Sequence, residues 1–254
     1  MCRHLAYLGP ARSLSSLLYV PEQSLEVQSW KPRFQREGAM NADGWGVGWW
    51  DRSIRPEPAR YRTAAPMWTD RSFRSVADLT HATAIVAAVR SATPPSPIVE
   101  TGNAPFTHGP WLFSLNGFVT GFRSGVGEQL RRTITPERAS VIDGSSDSEV
   151  LFALVLDRLA AGDKPADALG DVTALVLGVT EGKLNLLLSD GEEITATACG
   201  NSLCVLAGDG LAAGGVLVAS EPLDDHSGWS AVPEGSVLRT TVAGSTIEPL
   251  GGAS

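Results

Sequence analysis

The 254-residue sequence is short of positive charge, of cysteine and of long apolar runs. Lys and Arg total 20 against 28 for Asp and Glu, a formal net charge of −8, and no segment concentrates the cations. That balance excludes a nucleic-acid or anionic-membrane surface as the main function, because both partners are held by clustered Lys and Arg. No window reaches the roughly 18 consecutive apolar residues of a membrane span, and Met1-Cys2-Arg3-His4 is not followed by a secretory apolar region. A cytoplasmic location is expected. Three cysteines, Cys2, Cys199 and Cys204, are an odd number without metal-type spacing, which argues against a disulfide framework. The four histidines, His4, His81, His108 and His226, never fall at ligand spacing with one another, so no metal site is expected, and no cofactor either.

What is present describes one ordinary globular domain: 43% hydrophobic and 19% charged residues, with 27 Gly and 16 Pro spread along the chain. A chain of this length can bury roughly 70–75% of its unfolded surface, so the core needs no staple. A single domain over 1–254 is expected, with a short polar tail from about 251. Apolar runs predict strands over 3–9, 44–50, 83–90 and 111–116, and a short helix over 13–20. Thr93 to Pro97 and Thr101 to Pro105 carry loop chemistry. A helix is predicted over 146–161, opened by the capping box Ser146-Asp147-Ser148-Glu149. After the Gly162 to Pro165 break, strands are predicted over 174–180, 184–189, 193–197, 216–220 and 237–242, separated by Gly-containing turns.

Cys2 stands out among the reactive residues. Removal of Met1 would leave a thiol and a free α-amine on one residue, and an α-amine of pKa about 7.7–8.0 can take the thiol proton near neutral pH. On that residue alone, an incidental second-position cysteine is the stronger reading. Further segments bear on the choice: Asn41-Ala42-Asp43-Gly44-Trp45-Gly46, then Val89-Arg90-Ser91-Ala92-Thr93, Asn103-Ala104-Pro105-Phe106, Leu115-Asn116-Gly117 and Ser146-Asp147-Ser148-Glu149.

In this order behind a second-position cysteine, these segments resemble the class II glutamine amidotransferase domain, a family of N-terminal-nucleophile hydrolases. The resemblance spans roughly Cys2 to Leu223. It implies an α+β fold, a four-layer αββα sandwich with two mainly antiparallel sheets between helical layers. Within the family the chain looks most similar to the stand-alone γ-glutamyl hydrolases of ergothioneine biosynthesis, which release glutamate from γ-glutamyl-hercynylcysteine sulfoxide. Ala219-Ser220-Glu221-Pro222-Leu223-Asp224 resembles the terminal strand motif of these small members.

The resemblance implies that Cys2 attacks the γ-glutamyl carbonyl to form a thioester, with the Asn116 side-chain amide and the Gly117 N–H as oxyanion donors. Arg90 would bind the substrate α-carboxylate with help from Thr93, and Asp147 its α-ammonium. Asp43, Gly44 and Trp45 would line the pocket mouth; Trp49 and Trp50 are read as core. Ser91 and Glu149 are read as supporting residues, and His108, after the Asn103 loop, as facing the leaving-group side. Cys199 and Cys204, in or beside apolar strands, are given no catalytic part. Family members with His before the Arg segment and before Asn-Gly contrast with Ala88-Val89 and Leu115 here. The expected partner is a small γ-glutamyl substrate; nothing in the sequence sets the oligomeric state. Two rival readings stay open: a glutaminase subunit that supplies ammonia to a partner synthase, and a catalytically silent γ-glutamyl-binding protein.

Overall fold

The computed structural model describes residues 2–34, 40–93 and 96–251. Met1, Pro94, Pro95 and the end of the polar tail lie outside the described residues. The strands are β1 (Arg3–Ser13), β2 (Trp45–Trp49), β3 (Ala59–Thr63), β4 (His81–Val89), β5 (Phe106–His108), β6 (Trp111–Val119), β7 (Gly182–Ser189), β8 (Ile194–Ala198), β9 (Cys204–Ala207), β10 (Val216–Ala219), β11 (Ser230–Ala231), β12 (Ser236–Thr241) and β13 (Gly244–Pro249). The helices are α1 (Ser15–Leu18), α2 (Leu25–Trp30), α3 (Arg71–Leu79), α4 (Val126–Arg131), α5 (Pro136–Ala139), α6 (Asp147–Ala160) and α7 (Pro165–Leu177).

Two antiparallel sheets result, one of seven strands in the order β11-β9-β10-β1-β4-β2-β3 and one of six in the order β13-β12-β8-β7-β6-β5. Alternation along each strand divides the apolar residues among three cores. Leu5, Tyr7, Trp45 and Val47 face α1 to α3, together with Leu17, Leu18, Leu25 and Phe73. Phe113, Leu184 and Leu186 face α6 and α7 through Val150, Leu151, Leu154, Leu169 and Val172. Between the sheets lie Ala6, Leu8, Val86, Leu112, Leu187, Val216 and Val218. Each fully buried Leu or Val side chain contributes roughly 1.5–3 kcal/mol, which is what holds the helical layers to the sheets. The result is the four-layer αββα arrangement that the family resemblance implies.

Two elements differ from the sequence prediction. The stretch 174–180, read as a strand, is the last turn of α7 and the loop after it. Pro165 sits at the start of that helix and Gly178 follows its end, while buried Ala168, Leu169, Val172 and Val176 recur at spacings of three and four. The helix over 13–20 shrinks to the four residues Ser15–Leu18, because β1 runs on to Ser13. No helix among the described residues is long and apolar enough to cross a membrane.

Candidate active site

Strand register brings the candidate residues together. In β1, Ala6 and Leu8 point between the sheets, so the same alternation directs His4 and Cys2 to that side. β4 pairs with β1 so that Val89 lies opposite Arg3, which sets Arg90 beside Cys2 just past the strand ends. In β6, Leu112 belongs to the inter-sheet core, and two steps at a time lead to Ser114 and Asn116. Thiol, cation and amide thus approach one point from both sheets.

A cleft opens there, lined by Cys2, Arg90, Ser91, Thr93, Gly117 and Asp147 among others. Cys2 is half-buried, and its Sγ lies 3.9 Å from the Ser91 carbonyl oxygen, within reach of a weak S–H donor. Arg90 is only 9% exposed, yet among the described residues it forms no ion pair. Its Nη1 donates to Pro97 O at 3.1 Å, and its guanidinium lies flat on Gly102, where an added Cβ would come within 3.0–3.1 Å of it. A buried guanidinium without a carboxylate favours an anionic ligand, since its charge has lost most of its water.

Asp147 opens α6 and faces the same cleft. The capping box forms as the sequence predicts: Ser146 Oγ accepts from Glu149 N, and Glu149 Oε2 accepts from Ser146 N at 3.2 Å. Glu149 Oε1 also accepts from the Asp143 and Gly144 amides at 3.1 and 2.6 Å. Glu149 therefore fixes the loop ahead of the helix rather than facing the cleft. Asp147 Oδ2 accepts from Val119 N at 3.1 Å and Oδ1 from Ser148 N at 2.8 Å. Burial pushes the Asp147 carboxyl above its ordinary range despite those bonds and the nearby Arg90 charge.

Gly117 lines the cleft, while the neighbouring Asn116 is fully buried between the sheets. A Cβ at Gly117 would run into the Lys183 carbonyl oxygen of β7, so only glycine fits that approach. Asn116 Nδ2 donates to Ser220 Oγ at 3.2 Å, which leaves the second N–H of the amide for another acceptor.

The remaining candidates sit apart from the cleft. Asp43 and Gly44 brace it from behind: Asp43 N donates to Arg90 O at 3.0 Å, Arg90 N to Gly44 O at 2.8 Å, and Ala92 N to Asp43 Oδ2 at 2.7 Å. Gly44 has φ +116°, and Thr63 O would lie 2.6 Å from a Cβ there. The Trp45 side chain does not reach the pocket mouth. Alternation along β2 sends it into the core below α3, where its ring meets Phe73 edge-on at 4.9 Å. Trp50 is likewise buried, its Nε1 donating to Pro110 O at 3.2 Å. His108 is also displaced from its expected place: it lies in a separate groove, its Nε2 2.9 Å from Arg138 Nη1. Burial raises the thiol pKa of Cys199 and takes that of Cys204 up to about 11. Among the described residues no group of three His, Cys, Asp or Glu could hold a metal ion.

Sequence reasoning did not single out the polar groups behind Cys2. Arg3 is 1% exposed, and its Nη1 donates to Cys2 O at 3.1 Å. Burial lowers its pKa, while the negative charge of buried Glu221 opposes that shift. His4 Nδ1 lies 3.2 Å from Ser114 Oγ, and His4 N donates to Ser220 Oγ at 3.0 Å. Polar residues at the inward positions of otherwise apolar strands were the available signal, but only register shows that they meet.

Comparison with known proteins agrees with this architecture. Residues 19–209 match the family model described as "Glutamine amidotransferases class-II". The chain is 42% identical over 252 residues to the γ-glutamyl-hercynylcysteine sulfoxide hydrolase of Mycobacterium tuberculosis, covering 98% of this chain and 97% of the relative. It is 39% identical to the protein of that name from Mycolicibacterium smegmatis, covering 98% of this chain and 100% of the relative. Among solved structures, a glutamine aminotransferase class-II domain protein from Silicibacter pomeroyi superposes with a TM-score of 0.73 at 25% identity, covering 98% of this chain and 100% of the other.

Proposed function

We propose that this chain, which belongs to the class II glutamine amidotransferases, is an amidohydrolase that cleaves γ-glutamyl-hercynylcysteine sulfoxide to glutamate and the free sulfoxide amine. The observation that carries the reading is the buried Arg90 beside Cys2, which forms no ion pair among the described residues, with Asp147 lining the same cleft. A γ-glutamyl group presents an α-carboxylate and an α-ammonium at one end and the scissile amide at the other. Arg90 offers the fork that matches the carboxylate, with the Thr93 hydroxyl at hand, and the Asp147 carboxylate matches the ammonium.

In the proposed mechanism Met1 is removed, and the Cys2 α-amine takes the thiol proton as Sγ attacks the γ-carbonyl carbon. The carbonyl oxygen becomes an oxyanion, held by the free N–H of the Asn116 side chain and by Gly117 N. Removing one such donor typically costs about 10²–10³ in rate. Collapse breaks the C–N bond, the departing nitrogen takes the proton back from the α-ammonium, and a glutamyl thioester remains. Water, giving a proton to the α-amine, attacks the thioester carbonyl; glutamate leaves and the thiol is restored.

The test measures glutamate released by the Met1-free protein from γ-glutamyl-hercynylcysteine sulfoxide and from free glutamine, beside Cys2→Ala. Release that favours the conjugate and vanishes in Cys2→Ala is the expected result. Release mainly from glutamine would transfer the reading to an ammonia-supplying subunit, and no release from either to a γ-glutamyl-binding protein.

A further inference from the structure

Ser220 follows the last residue of β10 and is fully buried between the two sheets. Its backbone N–H donates to His4 O at 2.9 Å, extending the β1–β10 ladder by one bond toward Cys2. Its hydroxyl accepts from His4 N at 3.0 Å and from Asn116 Nδ2 at 3.2 Å, and its carbonyl accepts from Ser202 Oγ at 2.7 Å. One hydroxyl therefore holds a backbone amide of the strand that carries the nucleophile, in one sheet, and a side-chain amide from the other.

That geometry matters because of what else touches Asn116. Its main chain is fixed by pairing opposite Asn185 in β7 and by a 3.0 Å bond from Asn201 Nδ2 to its carbonyl. Among the described residues its side-chain amide has Ser220 Oγ alone as partner, and Asn116 Oδ1 has none. The terminal torsion of an asparagine is broad and close to two-fold, so packing alone defines poorly which end of the amide faces a given direction. In the structure the NH₂ end faces Ser220 Oγ, and that bond sets the direction of the second N–H.

We infer that Ser220 is a positioning residue that aims the Asn116 amide as an oxyanion donor and ties it to the strand bearing Cys2. The inference rests on the function proposed above. A group whose catalytic effect runs through the Asn116 amide should change the chemical step and leave the glutamyl end of the substrate bound as before, because among the described residues Ser220 shares no hydrogen bond with Arg90 or Asp147.

The experiment is a double-mutant cycle on the Met1-free protein with Ser220→Ala, Asn116→Ala and the pair, assayed by glutamate release, with glutamate affinity measured separately. Ser220→Ala is expected to lower kcat about 10- to 100-fold, a fraction of the roughly 10²–10³ that a lost oxyanion donor costs. KM and glutamate affinity are expected to stay within about twofold, and Ser220→Ala to add less than about twofold once Asn116 is Ala. Multiplicative losses in the pair, or a parallel loss of glutamate affinity, would overturn the inference in favour of a general structural role. If Ser220→Ala does not fold, Ser220→Cys carries the same cycle, its thiol being similar in size and a weaker acceptor. Cys2→Ala runs beside them: activity persisting there would defeat the proposed function itself, whatever Ser220 does.

Discussion

Asp147 accepts hydrogen bonds from Val119 N and Ser148 N and begins a helix, and in the proposed mechanism it must also stay charged enough to hold an ammonium group. Burial works against that charge and raises its pKa. Acidification protonates Asp147 at a higher pH than an exposed aspartate, and the attraction for the substrate α-ammonium that the proposed mechanism assigns to it then disappears. KM for a γ-glutamyl substrate is therefore expected to rise on the acid side at a pH above the usual aspartate range. In Asp147→Asn, KM should be raised by tenfold or more near neutral pH, since a hydrogen bond to a charged group contributes about 1.5–3 kcal/mol, and should lose that acid limb. Steady-state kinetics from pH 4 to 8 checks both; an acid limb that survives in Asp147→Asn would assign it to another group. The same carboxyl is destabilised when ionised in the fold, so its own contribution to stability improves as pH falls through its raised pKa.

At the scale of the element, β1 combines the end that carries Cys2 with a buried histidine held in its neutral form. His4 is fully buried, and burial together with the Arg3 charge lowers its pKa to about 3. Between that value and the ordinary 6.5 the unfolded chain binds a proton that the folded chain does not, so folding stability falls as pH drops through this window. At up to about 1.4 kcal/mol per pH unit, the loss from this one group reaches about 2 kcal/mol between pH 7 and pH 5. Urea midpoints of the wild type and His4→Gln measure it: the wild-type advantage should shrink on acidification, and a constant difference would show that His4 is not held neutral. The elements also show where sequence sufficed. Strands β1, β2, β4, β6 and β10 are apolar runs between turn residues, and α6 carries its capping box, so each was readable locally. The α7 segment misled because Ala174-Leu175-Val176-Leu177 is apolar on consecutive positions, while the helical signal lay upstream at Pro165, Ala168, Leu169 and Val172. Strands β3 and β13 were invisible as apolar runs, being Arg-rich in one case and fully exposed in the other. At the site, the ordered motifs pointed to Cys2, Arg90 and Asp147, which line one cleft, because each is defined by its neighbours in the chain. Ser220 meets Asn116 across 104 residues, a contact that only register between two sheets creates.

For the whole molecule, the decisive fact is that the cleft belongs to neither sheet. Cys2 and Arg90 come from the seven-stranded sheet, Gly117 from the six-stranded one, and Asp147 from a helix packed on the latter. The relative placement of these groups is fixed by the layer between the sheets, where Ala6, Leu8, Val86, Val216 and Val218 meet Leu112, Leu187 and Ala196. Such a layer cannot open in part without separating Cys2 and Arg90 from Asn116 and Gly117. The chain is therefore expected to unfold as one unit, with activity and structure lost together. Leu112 tests this, since it is fully buried in the layer and lies outside the residues lining the cleft. Leu112→Ala should cost about 2–5 kcal/mol through lost burial and the cavity left behind. Glutamate release, far-UV circular dichroism and tryptophan fluorescence, followed through urea, should share one midpoint in the wild type and shift to one lower midpoint in the variant. If glutamate release were instead lost at a distinctly lower urea concentration than the dichroism, the two sheets would be separating before either unfolds, and the inter-sheet layer would not be what keeps the cleft assembled.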